Sequence, residues 1–196
     1  MTAPEKVSSC ISAAGILGNI SYRQANFKCD AEEQRCQALV LIEFETKRLT
    51  VAIKGSTIPQ IMSGVLNHRP VKNALFPGRI NDYQTQAFMY FQADVMPEID
   101  KLIKDGVVDQ VDLQGYSLGG ATAALVAYHL RELFGNIQFI LATLGKPKIG
   151  SEEFVRVFEA KIPGSLRYRN GADPIPSYVG QLPDSIMWRT FKPVVC

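Results

Sequence analysis

The pentapeptide Gly115-Tyr116-Ser117-Leu118-Gly119 is the segment of this chain whose residue types and spacing point most directly to chemistry. The pattern Gly-x-Ser-x-Gly is typical of a nucleophilic serine held in a sharp turn between a strand and a helix. Its two glycines let neighbouring backbones approach without a Cβ between them. The helix N-terminus would supply backbone N–H groups to a developing oxyanion. The pentapeptide therefore predicts nucleophilic catalysis by Ser117, provided that a strand precedes it and a helix follows.

The segments around the pentapeptide have the periodicities that this arrangement needs. Residues 107–113 alternate apolar and polar side chains, which predicts a strand, and residues 118–134 predict a helix rich in small residues. Residues 137–144 form an apolar run typical of a buried strand. Residues 152–160 predict a short helix, and 165–169 a further strand. Strands that alternate with helices predict an α/β fold with a central, mostly parallel sheet flanked by helices.

The first half of the chain is less regular. Residues 38–44 and 49–53 predict two strands in a hairpin, and the spacing of apolar residues from 88 to 102 predicts a helix broken at Pro97. Ile11 to Ile20 is interpreted as the first helix, within an N-terminal helical segment at residues 1–34. No repeat or long linker interrupts residues 1–196, so we expect a single domain.

Residues 57–80 have no clear period and contain several prolines and glycines, which predicts a long, lid-like loop. Its apolar residues either form a face directed at lipid or pack beneath the loop as ordinary core. The residues concerned are Val65, Leu66, Val71, Leu75 and Phe76.

Composition excludes several classes of protein. The 196 residues are 46% hydrophobic, and 21 Lys and Arg nearly balance 19 Asp and Glu. This balance gives no basic field for nucleic acid, and no apolar run is long enough to span a bilayer. No residue spacing suggests a metal site or a cofactor. Localisation stays open between the cytoplasm and, if a signal peptide has been removed, secretion.

Four blocks in this order resemble the class 3 (fungal-type) lipases, which have the α/β-hydrolase fold. The blocks are IKGST at 53–57, GYSLGGA at 115–121, LGKPKIG at 144–150 and RYRNGADPIP at 167–176. By this resemblance Ser117 is the nucleophile and Asp173 the acid of the catalytic triad. Leu118 and Ser56 are the oxyanion-hole residues, and residues 57–80 take the place of the lid. Two positions depart from the family: Tyr116 replaces a histidine, and Lys54 an arginine.

The base of the triad is missing from its expected place. In this fold the order is Ser, then Asp, then His, yet no histidine occurs from residue 174 to 196. His129 lies twelve positions after Ser117 on the same predicted helix, about 18 Å along its axis, and is out of reach. His68 falls in the lid-like loop and would need an unusual closure to serve as base.

Two functions of different classes therefore remain open. The first is a serine hydrolase of the lipase or carboxylesterase type that cleaves acyl esters through Ser117, with its histidine supplied by His68 or by chain beyond Cys196. The second is a catalytically inactive lipase-like fold that acts as a binding, regulatory or structural protein with protein partners. The retained Ser117, Asp173 and oxyanion segments favour the first. The absent histidine favours the second, because loss of any triad member removes most of the rate.

Four cysteines allow three disulfide pairings in an oxidising compartment. The resemblance implies that Cys10 then pairs with Cys196, which leaves Cys29 and Cys36 to close a local loop. In a reducing cytosol all four would be thiols.

Overall fold

The structure is a computed structural model, and it describes most of the chain up to residue 177. The described residues are 4–13, 15–16, 18–31, 34–57, 60, 69–171, 173 and 175–177. Two predicted features, His68 and Cys196, lie outside them.

A six-stranded sheet organises the described residues. Its strands, in spatial order, are β1 (Ile20–Lys28), β2 (Arg35–Glu43), β3 (Arg48–Ile53), β6 (Gln110–Tyr116), β7 (Gln138–Leu144) and β8 (Leu166–Tyr168). Strands β1, β2 and β3 are joined antiparallel, and β3, β6, β7 and β8 run parallel. The predicted hairpin is confirmed as the β2–β3 pair, and the predicted parallel half of the sheet is also confirmed.

Helices cover one face of this sheet. Val51, Leu113 and Leu141 are register partners on neighbouring strands, and all three are buried. The central helix over them carries alanines and glycines, which let it approach the sheet closely. The break predicted at Pro97 is confirmed, since one helix ends at Asp94 and the next begins at Met96. The helices are α1 (Pro4–Ala13), α2 (Asp82–Asp94), α3 (Met96–Lys104), α4 (Leu118–Leu133) and α5 (Glu152–Lys161).

The N-terminal helix was predicted in the wrong place. It spans Pro4–Ala13 rather than Ile11 to Ile20, and Gly15 and Gly18 follow it with φ of 72° and 105°. These left-handed conformations are incompatible with a continuing right-handed helix. The segment 1–34 is therefore not wholly helical, because β1 occupies residues 20–28 and buries Ala25 and Phe27 on one face.

The lid-like loop is partly regular. A two-stranded antiparallel hairpin, β4 (Pro70–Asn73) and β5 (Phe76–Asn81), occupies the end of the segment predicted to be irregular. Phe76 is buried, and its ring contacts Phe88 edge-on at a centroid distance of 5.0 Å. Of the two alternatives for this residue, core packing is the one observed. Val65 and Leu66 lie outside the described residues.

The opposite face of β7 is open. Ile140 and Leu144 are 47% and 49% exposed, although the apolar run 137–144 predicted a strand buried on both faces.

No helix described by the structure is long and apolar enough to cross a membrane.

The cysteines described by the structure include one disulfide. Cys29 and Cys36, seven positions apart, are bonded with their Cα atoms 5.3 Å apart, within the range of a disulfide. The Cys10 thiol is exposed, and its predicted partner, Cys196, is not among the described residues.

Candidate active site

Ser117 occupies a strained turn between β6 and α4. Its backbone angles are φ 51° and ψ −122°, and its N–H donates to the Leu144 carbonyl at 2.8 Å. Its own carbonyl accepts from the Gly120 N–H at 3.0 Å, which starts the helix. A serine with positive φ and extended ψ costs of the order of 1–3 kcal/mol and persists only where its surroundings impose it. The strand–turn–helix arrangement expected for the pentapeptide is therefore observed.

Close backbone packing imposes this turn. A Cβ on Gly115 would lie 2.5 Å from the carbonyl carbon of Gly119 and from the Gly120 nitrogen. A Cβ on Gly119 would lie 2.8 Å from the Ile53 carbonyl carbon, and closer still to the carbonyl oxygens of Ile53 and Lys54. The start of α4 is thus pressed onto the end of β3, at a separation that only glycine allows.

The segment after β3, which contains Gly55 and Ser56, passes beside the turn at Gly55. A Cβ on its neighbour Gly55 would lie 3.3 Å from the Ser117 Cβ and 2.9 Å from the Tyr116 carbonyl oxygen. The Ser56 hydroxyl is buried and has no hydrogen-bond partner among the described residues. Leu118 is the first residue of α4, where backbone N–H groups have no acceptor within the helix. The N-terminus of α4 and the backbone at Gly55 therefore lie beside Ser117, which is itself only 7% exposed, and Ser56 follows Gly55 directly in the chain.

Asp173 lies at the same end of the sheet. A Cβ on Gly145, the residue after β7, would be 3.1 Å from one carboxylate oxygen of Asp173 and 3.5 Å from the Tyr116 ring. The other carboxylate oxygen accepts from the Ile175 N–H at 3.0 Å. Gly145 has φ 58°, so it supplies both the backbone conformation and the space that this carboxylate uses. The space at Gly145 is therefore bordered both by Asp173 and by the ring of Tyr116, the residue that precedes Ser117.

Arg167 joins the two loops that surround this carboxylate, and the sequence analysis did not single it out. Its guanidinium donates to the Lys146 carbonyl at 2.8 Å and to the Pro176 carbonyl at 3.1 Å. These bonds tie the turn after β7 to the loop that carries Asp173. Burial, and then the charge of Arg169, lower the pKa of Arg167 to about 10. The sequence around Arg167 gave no local signal, because its partners lie 21 residues before it and 9 residues after it in the chain.

No described histidine reaches this site. His129 lies on α4, where its ring contacts Phe88 and its Nε2 is 3.1 Å from the Gln92 amide nitrogen. Burial lowers the pKa of His129, as expected for a packed neutral imidazole. His129 is thus packed against neighbouring side chains, twelve positions after Ser117 on the same helix. Among the described residues there is also no group of three or more His, Cys, Asp or Glu side chains that could hold a metal ion.

The parallel sheet, the strained Ser117 turn and the helix that follows it define an α/β-hydrolase fold. Residues 50–182 match the family described as Lipase (class 3). The chain belongs to the class 3 lipase family, as its resemblance indicated.

Individual relatives agree with this assignment. Lipase ZK262.3 of Caenorhabditis elegans is 24% identical over 165 residues, covering 80% of this chain and 45% of that protein. Secreted mono- and diacylglycerol lipase 3 of Gibberella zeae is 30% identical over 102 residues, covering 48% of this chain and 32% of that protein. The Rhizomucor miehei triacylglyceride lipase structure superimposes with a TM-score of 0.67 at 19% identity, covering 86% of this chain and 67% of that one. The chain thus spans less than half the length of these two curated relatives.

Proposed function

We propose that the protein is a serine hydrolase that cleaves acyl esters of lipids through the Ser117 hydroxyl. The observation that carries the proposal is the strained backbone of Ser117 at the junction of β6 and α4. A serine buried in an ordinary turn would relax to negative φ, whereas a nucleophile must project from a sharp turn beside backbone donors. Membership of the lipase family supports the choice of an ester substrate. The name of the Gibberella zeae relative supports mono- and diacylglycerols in particular.

In the proposed reaction the Ser117 Oγ attacks the ester carbonyl carbon while its proton passes to an imidazole. The Leu118 N–H and Ser56 stabilise the oxyanion that forms on the carbonyl oxygen. The tetrahedral intermediate expels the alcohol, which takes the proton from the imidazolium and leaves an acyl group on Ser117. Water then attacks this acyl-enzyme by the same route and releases the fatty acid. Asp173 holds the imidazole in the tautomer that accepts the serine proton.

The imidazole of this reaction lies outside the described residues, and His68 is the candidate within the chain.

A second function, binding or regulation without hydrolysis, is favoured by one observation. The described histidine, His129, is packed against Phe88 and Gln92, away from the Ser117 turn. Without an imidazole the serine alcohol would keep only the residual rate of about 10³–10⁴ over water that the oxyanion hole and binding provide.

Hydrolysis of p-nitrophenyl butyrate and of a diacylglycerol distinguishes the two functions. We expect Ser117→Ala to abolish hydrolysis and Ser9→Ala, an exposed serine on α1, to leave it unchanged. If His68 is the base, His68→Ala lowers kcat by at least about 10³-fold, while His129→Gln, the matched control, has no effect on kcat. Wild-type hydrolysis no faster than that of Ser117→Ala would overturn the hydrolase and leave the binding function.

A further inference from the structure

A separate cavity of about 230 Å³ lies between α5 and the strands β7 and β8. None of Ser117, Ser56, Leu118 and Asp173 lines it. Most of its wall is apolar and consists of buried or half-buried side chains from β7, the segment after β7, α5 and the residue that follows α5. The apolar residues of the wall include Leu141, Ile149, Phe154, Val155, Phe158 and Ile162.

Three cationic side chains line the same cavity: Lys146, Lys148 and Arg167. Lys146 is only 8% exposed. Burial and then the charge of Arg167 lower the pKa of Lys146 well below its usual range, and the same two causes lower the pKa of Lys148. Among the described residues of the wall the acidic one is Glu159, which is exposed on α5. Burial and the charge of Arg167 disfavour the charged forms of the two lysines, and an anion bound in the cavity would favour those forms.

We propose that this cavity binds a medium-chain fatty acid, with its carboxylate beside Lys146 and Lys148 and its alkyl chain against α5. The division of the wall into a cationic part and an apolar part matches an amphiphilic anion. At ~30 Å³ for each water-sized group, the cavity holds about eight such groups. This number matches octanoate if its seven-carbon chain counts as seven groups and its carboxylate as one. The proposal does not rest on ester hydrolysis, because binding at this cavity needs neither Ser117 nor Asp173.

Isothermal titration calorimetry with sodium octanoate tests the proposal. We expect saturable one-to-one binding that is at least tenfold weaker for octanol, which has a similar chain and no charge. Lys146→Met should weaken octanoate binding at least tenfold, whereas Lys72→Met, which removes an exposed charge outside the cavity, should not change it. Because a bound carboxylate favours the charged form of Lys146, binding at a pH where that amine is neutral in the unliganded protein should take up protons. The measured heat should then depend on the ionisation enthalpy of the buffer.

A second variant separates loss of the site from loss of the fold. Val155→Trp places a larger side chain in the wall of the cavity, and its folding is checked by circular dichroism. Folded Val155→Trp protein should lose octanoate binding and keep whatever ester hydrolysis the wild type has. The proposal is overturned if octanol binds as well as octanoate, if Lys146→Met binds normally, or if no saturation occurs up to about 1 mM. Failure of ester hydrolysis would leave it standing, so the two proposals fail separately.

Discussion

The contact between α4 and β3 at Gly119 gives a sharp prediction about stability. Replacing Gly119 by alanine adds a Cβ that would lie 2.8 Å from the Ile53 carbonyl carbon and closer to two carbonyl oxygens. All of these atoms belong to the backbone, so no side chain can rotate to make room. The strand and the helix must instead separate, and the turn that holds Ser117 lies between them.

The magnitude follows from the size of that separation. Moving two packed layers apart by ~0.5–1 Å forfeits a quarter to a half of the dispersion energy between facing atoms. Overpacking a well-packed interior typically costs about 1–3 kcal/mol, and a clash with backbone belongs at the upper end. We therefore expect Gly119→Ala to lower the free energy of unfolding by about 3 kcal/mol. For a chain of this size that corresponds to a fall in Tm of roughly 6–12 °C.

The matched control is Gly135→Ala in the turn after α4. A Cβ at Gly135 meets nothing within 4 Å, so its effect should lie between zero and a gain of about 1 kcal/mol. Urea denaturation followed by circular dichroism measures both variants. If Gly119→Ala is within about 0.5 kcal/mol of the wild type, the close approach of α4 and β3 is not real, and the argument for a strained Ser117 fails with it.

Three further predictions follow from other contacts. Replacing Cys29 and Cys36 by serine should lower the free energy of unfolding by roughly 2 kcal/mol in the chain-entropy estimate, and urea denaturation of the wild type with and without reductant should show the same difference. Gly145→Ala should displace the Asp173 carboxylate and lower kcat for ester hydrolysis at least tenfold, while Gly164→Ala, also at positive φ but with open space around it, should destabilise without that loss. Burial lowers the pKa of His129 below the unfolded value of 6.5, against the opposing charges of Asp100 and Glu132, so the unfolded chain binds that proton more tightly. Stability should therefore fall as pH drops below about 6.5, and His129→Gln should remove this part of the slope.

The parts of the fold that depend on local pattern could be predicted from the sequence. The apolar alternation before Gly115 and the small-residue helix after Ser117 lie within a few residues of the motif, so strand, turn and helix followed directly. The break between α2 and α3 followed from Pro97, which occupies the first turn of α3. The likeness to the lipase family then supplied the order of the remaining blocks.

Contacts between distant segments could not be read in the same way. Strand β1 was missed because only two of its residues, Ala25 and Phe27, are buried in the core. Their alternation with polar residues was too short to indicate a strand, and the apolar residues before it were interpreted as a helix. The hairpin of β4 and β5 was not predicted because Pro70, Pro77 and Gly78 are typical of loops. Its strands are stabilised by pairing with each other and by the packing of Phe76 in the core, and neither contact is visible in the local sequence. The pairing of Arg167 with the Lys146 and Pro176 carbonyls depends on how β7 and β8 lie together. Such contacts appear only once the sheet is assembled.

Labelling with a fluorophosphonate probe tests the central claim most directly, because the probe reacts covalently only with an activated serine hydroxyl. The protein is treated with excess probe, digested, and the modified peptide located by mass spectrometry, with Ser117→Ala protein treated in parallel. The account predicts one adduct on the peptide that contains Ser117, and no adduct at any site in the variant. Quantitative recovery of unmodified Ser117 peptide at high probe excess would contradict the claim that Ser117 is a nucleophile.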